Sequence, residues 1–214
     1  MGFWRAASRA RHALAVACAL LFVLAAAARG EGPIEIDDFT TVAGWKAFPA
    51  DGVDLAIASD TGEHGGAMRL DFHFKSGGGY AVARKQVDLH LPENYSFSFR
   101  VRGEAPPNHV EFKFLDATGE NVWWSVRRDF QFPRDWQSFA IKKRQISFAW
   151  GPMGGGEIRD VKALEIVVTA GSGGQGSVWR NTCRTGRRDR MRLPNWRRPP
   201  LPSETSTAAA KWAL

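Results

Sequence analysis

The sequence lacks the residue patterns that several classes of protein need. Only 2 of its 214 residues are cysteine, Cys18 and Cys183, which excludes the small secreted scaffolds held by several disulfides. None of its 5 histidines forms an H-x-x-x-H pair, and it has no Gly-x-Ser-x-Gly elbow. Its glycine-rich turns lack the lysine and the following helix of a phosphate-binding loop, and no strand carries three carboxylates at alternate positions, as some jelly-roll glycosidases do. The sequence therefore predicts no catalytic residues.

Long apolar runs are equally scarce, and the single one lies at the N-terminus. It covers about 16 residues from Ala13 to Ala28, follows a segment with three arginines, and ends in three alanines that suit a signal peptidase. We interpret residues 1–28 as a signal peptide of a secreted or periplasmic protein, because the run is short for an uncleaved membrane anchor. Cleavage would leave no membrane-spanning segment, and it would leave Cys183 without an intramolecular disulfide partner.

The net charge of +7 is unevenly distributed along the chain. Residues 180–214 carry nine basic and two acidic residues, whereas residues 29–179 carry 17 basic and 20 acidic ones. The basic segment is rich in Arg and Pro, shows no alternation, and lacks the interleaved aromatic residues of single-strand nucleic-acid binders. We therefore predict a disordered tail over residues 180–214 and no nucleic-acid partner.

Between these two ends, apolar and polar residues alternate with a period of two, and turn-forming residues interrupt them about every ten residues. The pattern predicts an all-β domain over residues 31–179: a jelly-roll β-sandwich of two antiparallel sheets with nine or ten strands. The predicted strands that the alternation marks are 34–39, 53–58, 67–75, 80–89, 95–102, 110–114, 122–127, 137–142 and 164–169.

Short motifs in this region resemble those of the galactose-binding-like jelly rolls, which include many bacterial carbohydrate-binding modules. The motifs are Ile36-Asp37-Asp38-Phe39, Trp45, Gly66-Ala67-Met68-Arg69-Leu70-Asp71-Phe72, Asp135-Trp136, Leu164-Glu165-Ile166-Val167-Val168 and Val178-Trp179. The resemblance implies a non-catalytic module that binds a polysaccharide or oligosaccharide and is an appendage of an exported glycoside hydrolase. Two other functions stay open: a sandwich that docks onto a neighbouring domain, and an enzyme whose carboxylates come from different strands.

The sequence departs from that family pattern after Trp179. The family continues with an apolar residue and two acidic ones, whereas this chain continues with Arg180-Asn181-Thr182-Cys183. We therefore predict that the last strand is cut short. We also hypothesise that the reading frame shifts near residue 180, so that the tail is out of frame and a C-terminal catalytic domain is lost.

Sugar binding needs an aromatic face and polar side chains that pair with hydroxyl groups. Neighbours on a strand point to opposite faces, so only one of Trp123 and Trp124 can lie in the core. We predict that Trp123 faces outward and stacks on sugar, with an ordinary solvated face as the alternative. The predicted carbohydrate-binding residues are Trp123, Arg100, Glu111, Lys113, Arg127, Asp71, His73 and Trp150.

The resemblance also implies a structural calcium ion, held by loop carbonyls and carboxylates. The predicted ligands are Asp37, Asp38 and Asp60. The alternative is that these are solvated loop carboxylates.

Overall fold

Most of the alternating segments form β-strands in the computed structural model, which describes residues 33–187. The predicted signal peptide and residues 188–214 of the predicted tail lie outside this range. The strands are β1 (Ile34–Asp37), β2 (Trp45–Ala47), β3 (Val53–Thr61), β4 (Gly66–Phe74), β5 (Tyr80–His90), β6 (Tyr95–Glu104), β7 (Asn108–Leu115), β8 (Val122–Phe130), β9 (Gln137–Lys142), β10 (Ser147–Trp150), β11 (Asp160–Thr169) and β12 (Gly174–Arg187). A single-turn 3-10 helix, Lys143–Gln145, joins β9 to β10. Within residues 33–187 there is no helix with the length and apolar character needed to span a bilayer.

The strands form two six-stranded antiparallel sheets. The first sheet has the order β3-β4-β12-β6-β9, with β1 also paired to β12, and the second has the order β10-β8-β7-β11-β5-β2. Strands that are distant in sequence therefore lie side by side, as β12 does between β4 and β6. The predicted sandwich of two antiparallel sheets is confirmed.

The core lies between the sheets and is largely aromatic. On β6 and β7, the inward-facing phenylalanines interleave: Phe97 and Phe114 have ring centroids 4.7 Å apart, and Phe99 and Phe112 stack at 5.6 Å. All four rings are at most 7% exposed. Each phenylalanine buries a large apolar surface, so these contacts fix which face of each strand points outward.

The last strand is longer than the sequence predicts. β12 continues past Trp179 to Arg187, pairing with β6 along its length and with β1 near its end. The sequence predicts that the β domain ends at residue 179 and that a disordered tail begins at residue 180. Both predictions are wrong for residues 180–187, which belong to β12. Backbone hydrogen bonds to two neighbouring strands hold this segment whatever its side chains are. A register shift between Asn181 and Arg184 marks the departure from regular pairing.

Cys183 lies in this extension and is a buried free thiol. Burial raises its pKa to about 12, so the thiol stays protonated and unreactive at neutral pH. Cys183 therefore acts as a small apolar core residue.

Candidate functional site

A groove of about 450 Å³ crosses the outer face of the second sheet. Five large apolar side chains are exposed among residues 33–187, and three of them are aromatic: Phe48, Tyr80 and Trp150, at 43%, 49% and 47% exposure. All three line the groove. Exposed aromatic rings are costly to leave in water, so their concentration in one groove indicates a binding surface.

The floor of the groove is a row of charged side chains on adjacent strands. Strand register places Arg84 of β5 beside Glu165 of β11, and Glu165 beside Lys113 of β7. The Arg84 guanidinium donates to Glu165 Oε1 from Nε at 2.6 Å and contacts it from Nη2 at 2.5 Å. Because the Glu165 side chain is only 7% exposed, this two-point contact holds both groups in a fixed orientation.

A second ion pair lies next to the first on the same face. Lys113 Nζ is 3.0 Å from Glu111 Oε2, and the other oxygen of Glu111 accepts a hydrogen bond from the Thr169 hydroxyl at 3.0 Å. The carboxylates are mostly buried, and each has a cationic partner, so the floor carries little net charge. Such a floor offers fixed donors and acceptors to a neutral polar ligand.

The aromatic walls are held in place by this charged floor. Lys113 Nζ lies 5.1 Å from the centroid of the Trp150 ring, and the Arg84 guanidinium lies 4.7 Å from that of Phe48. Trp124 packs edge-on against Trp150 with centroids 5.6 Å apart. These contacts restrict both rings while leaving nearly half of each exposed, which preorganises them for stacking.

The turn after Trp150 requires a glycine. Gly151 has φ +134°, and a Cβ there would lie 2.6 Å from Asn121 Oδ1, which accepts a hydrogen bond from Met153 N at 2.8 Å. Trp150 itself follows a register shift after Phe148 on β10. This irregular turn therefore sets the position of the Trp150 ring at the end of the groove.

The structure brings together Glu111, Lys113 and Trp150 from the predicted set. The prediction for Trp123 is wrong: it is 2% exposed, packs edge-on against Phe148 at 5.3 Å, and donates from Nε1 to the Gly156 carbonyl at 2.8 Å. The register opposite β7 turns Trp123 inward, so its neighbour Trp124 is the outward tryptophan.

The other predicted binding residues lie away from the groove. Arg127 has the same strand parity as Trp123, and its guanidinium sits 5.4 Å from the Phe139 ring at the edge between the sheets. Arg100, Asp71 and His73 lie on β6 and β4, which belong to the first sheet and therefore face the opposite side of the sandwich.

Their contacts on that side are structural. Arg100 forms an ion pair with Glu63 and donates to the Trp136 carbonyl, and Asp71 accepts from Arg69 and Ser177. Grouping these residues with Glu111 and Lys113 in one site was wrong, because alternation shows which residues face outward but does not say on which sheet.

Five residues at the groove were not predicted as binding residues from the sequence: Phe48, Tyr80, Arg84, Trp124 and Glu165. Tyr80 carries a usable signal, since it directly follows the Gly77-Gly78-Gly79 turn and begins a strand. Arg84 and Glu165 belong to segments predicted as strands, but their pairing depends on long-range register, which the sequence does not show.

The three carboxylates predicted to bind calcium are occupied by protein donors. Asp37 accepts a hydrogen bond from Trp45 Nε1 at 2.7 Å and pairs with Lys85 Nζ at 2.6 Å, while Asp60 accepts one from Trp179 Nε1 at 2.8 Å. The hydrogen bond from Trp179 is the main cause that lowers the pKa of Asp60. A hydrogen bond from the backbone N–H of Thr40 is the main cause that lowers the pKa of Asp38. Residues 33–187 contain no group of three His, Cys, Asp or Glu side chains that could hold a metal ion. As arranged here, these carboxylates do not fit a shared calcium site, and calcium binding stays an untested prediction.

Comparison with known proteins gives a fold but no sequence relative. No protein-family model matches this sequence, and no curated protein matches it. Among solved structures, this chain is similar to a family 11 carbohydrate-binding module from Clostridium thermocellum, which was solved in complex with a β-1,3-1,4-mixed-linked tetrasaccharide. The two structures superpose with a TM-score of 0.60 and 15% sequence identity, and the match covers 73% of this chain and 96% of that one.

The fold is that of the β-sandwich carbohydrate-binding modules. A second structure of a family 11 module, from a cellulosomal cellulase of the same organism, agrees with a TM-score of 0.57 and 16% identity over 72% of this chain and 94% of that one. An exo-β-agarase also matches, with a TM-score of 0.51 and 13% identity, but the match covers only 25% of its chain against 73% of this one. The predicted resemblance to galactose-binding-like jelly rolls is thereby confirmed at the level of the fold.

Proposed function

We propose that this protein is a non-catalytic carbohydrate-binding module that takes a polysaccharide or oligosaccharide in the groove of its second sheet. The observation that carries the proposal is that all three large exposed aromatic side chains of residues 33–187 line one groove. Aromatic faces stack on the C–H side of a pyranose ring, and paired charges below them meet the hydroxyl groups. A solved structure with the same fold holds a tetrasaccharide, which supports the same ligand class for this chain.

The groove fits a sugar better than a protein surface. A docking face for a neighbouring domain would have a continuous apolar centre, whereas here the ion pairs of Arg84 with Glu165 and of Lys113 with Glu111 interrupt the apolar area. Aromatic rings on the walls and paired charges on the floor match the apolar ring faces and the hydroxyl groups of a saccharide.

The first experiment measures binding of the full chain to neutral polysaccharides by affinity electrophoresis, followed by calorimetry with the oligosaccharides of any polysaccharide that binds. Trp150→Ala and Tyr80→Ala should each weaken binding at least tenfold, or about 1.4 kcal/mol, because each removes one stacking surface. Met153→Ala is the matched control, since that side chain is 59% exposed and lies outside the groove. A folded wild type that binds none of the glycans would refute the proposal.

The non-catalytic character is tested separately. Glu111 and Glu165 lie on adjacent strands of the groove floor, and each is tied to a cation rather than free to transfer a proton. We expect no release of reducing ends from a polysaccharide that binds. Hydrolysis that disappears in Glu165→Gln or Glu111→Gln would instead make the protein an enzyme.

The cellular setting is part of the same proposal. A signal peptide over residues 1–28 would export the chain, and a binding module is most useful beside a glycoside hydrolase that acts on the same polymer. N-terminal sequencing of the protein recovered from its native host tests the export step: a mature chain that still starts at Met1 would contradict it.

A further inference from the structure

A second cavity, of about 300 Å³, lies where the chain crosses from the first sheet to the second. Its walls come from the start of β6, the 3-10 helix after β9, and the loop between β10 and β11. It shares no lining residue with the groove described above. The cavity is therefore a separate candidate site, at the lower end of the size range of ligand pockets, roughly 300–1,000 Å³.

This cavity has a strong excess of positive charge. Lys142, Lys143 and Arg144 follow one another along its wall, and Glu157 is the one carboxylate among its lining residues. Glu157 is 2.7 Å from Lys143 Nζ, and Arg159 approaches it from outside the cavity at 3.9 Å. Neither Lys142 nor Arg144 forms an ion pair with any of residues 33–187. Two cations thus face the cavity without a counter-charge.

A buried tyrosine adds a directed hydrogen-bond donor. Tyr95 is 3% exposed and lines the cavity, and its hydroxyl makes no hydrogen bond within the part of the chain that the structure describes. Burial, together with the nearby Glu157 carboxylate, raises the pKa of Tyr95 to about 12. The hydroxyl therefore keeps its proton at neutral pH, and because it is not among the sealed-off polar atoms of residues 33–187, it can donate a hydrogen bond to a ligand oxygen in the cavity.

The remaining walls are apolar. Ile146 and Ile158 line the cavity, and Trp123 closes it on the core side with its indole N–H already bonded to Gly156. A bare inorganic oxyanion would use the cations and the tyrosine but leave these apolar walls uncovered. A sugar ring with an acidic substituent would cover both kinds of surface.

We propose that this cavity binds an acidic saccharide residue, with the carboxylate or sulfate group held by Lys142, Arg144 and the Tyr95 hydroxyl. The ring of that residue lies against Ile146 and Ile158. This site is independent of the groove, which offers paired charges and suits neutral sugar. The two sites together would let the protein bind two regions of a polymer that differ in charge, or two separate chains.

The test is calorimetry of the full chain with three probes: an oligogalacturonate, a sulfated galactan oligosaccharide and a neutral galactan oligosaccharide, with inorganic sulfate as the small-anion reference. The double variant Lys142→Ala/Arg144→Ala should weaken binding of an acidic probe at least tenfold. The matched control Arg128→Ala/Arg134→Ala removes the same charge from two other exposed arginines and should stay within twofold of wild type. Tyr95→Phe keeps the ring in the core and should weaken acidic binding several-fold without changing the unfolding midpoint.

The variants separate this site from the groove. Trp150→Ala should keep the affinity for the acidic probes within twofold of wild type, while Lys142→Ala/Arg144→Ala should leave the affinity for neutral glycans unchanged. Loss of binding at one site can therefore be told apart from loss at the other. Equal losses in the double variant and its control would reduce the effect to overall charge and overturn the proposal. Absence of binding by both acidic probes, or binding of sulfate as tight as that of the acidic saccharides, would overturn it as well.

Discussion

Replacing Arg180 with methionine should stabilise this protein. Arg180 is 2% exposed and points between the sheets from β12, with Met68 and Val101 as its register neighbours. Its guanidinium stacks 4.4 Å from the Phe99 ring, but Nε and Nη1 have no hydrogen-bond partner within residues 33–187. A charge buried in this way costs free energy that an apolar side chain of similar length does not.

The magnitude follows from the effect of burial on the charged form. Burial lowers the pKa of Arg180 from the ordinary value of a guanidinium to about 10, and a difference of this size corresponds to about 3 kcal/mol of lost stability. The contact with Phe99 returns about 2 kcal/mol at this desolvated position, and the sulfur–aromatic contact of methionine with the same ring restores about 1 kcal/mol of that. We therefore expect Arg180→Met to raise the free energy of unfolding by about 2 kcal/mol.

Urea unfolding of the full chain, followed by tryptophan fluorescence, measures this change. With a typical slope of about 2 kcal/mol per molar urea, the midpoint should rise by about 1 M. Because the folded-state pKa of about 10 lies below the unfolded-state pKa, the cost is complete below pH 10 and declines only as the pH rises from there towards the unfolded-state pKa. The gain should thus be constant between pH 6 and 9. Arg128→Met, at an exposed position of β8, is the control and should change the free energy of unfolding by less than about 0.5 kcal/mol. An Arg180→Met variant that is no more stable than wild type would refute the reasoning.

Three further predictions concern the core and its edges. Asp37→Asn should cost about 3 kcal/mol in urea unfolding, because it removes the charge from a buried ion pair, whereas the exposed Asp38→Asn should cost much less. A stop codon after Trp179 should abolish cooperative thermal unfolding, since β1 and half of β6 lose their partner, while a stop after Arg187 should preserve it; equal melting curves would contradict this. Absorbance at 295 nm in a Tyr80→Phe background should show Tyr95 ionising near pH 12 while the protein is folded, and ionisation near pH 10 would contradict its burial.

The sequence predicts the fold well because alternation is a local property. Along β4 and β6, and at Phe112 and Phe114 of β7, the apolar positions that it marks are buried, and those faces make the core. The short strands β2 and β10 were not predicted, because three or four residues give too little alternation to recognise. Their pairing with β5 and β8 comes from the sheets that they extend.

The site was harder to predict for two physical reasons. Val122, Trp123 and Trp124 are all apolar or aromatic, so alternation alone supports either parity for β8, and only its register against Phe114 and Lys113 decides it. Alternation also gives no information on sheet membership. Arg100 and Lys113 are both outward-facing, yet they lie on opposite sides of the sandwich because β6 and β7 belong to different sheets.

The extension of β12 bears on the hypothesis that the reading frame changes near residue 180. Five buried side-chain nitrogen or oxygen atoms have no hydrogen-bond partner within residues 33–187. They belong to Arg100, Arg102, Arg180 and Thr185. All of these residues lie either on β12 after Trp179 or on β6, the strand that pairs with it.

Residues 180–187 therefore complete the backbone hydrogen bonds of the two neighbouring strands, but two of their side chains, Arg180 and Thr185, leave buried polar atoms unpaired. This is the expected result if this part of the sheet is shaped for another sequence, with an apolar residue in place of Arg180. Resequencing the gene across this point should then reveal an insertion or deletion that restores an apolar residue and an alternating pattern. An intact frame, with the same tail in close relatives, would refute the hypothesis and leave the buried arginine as a native cost to stability.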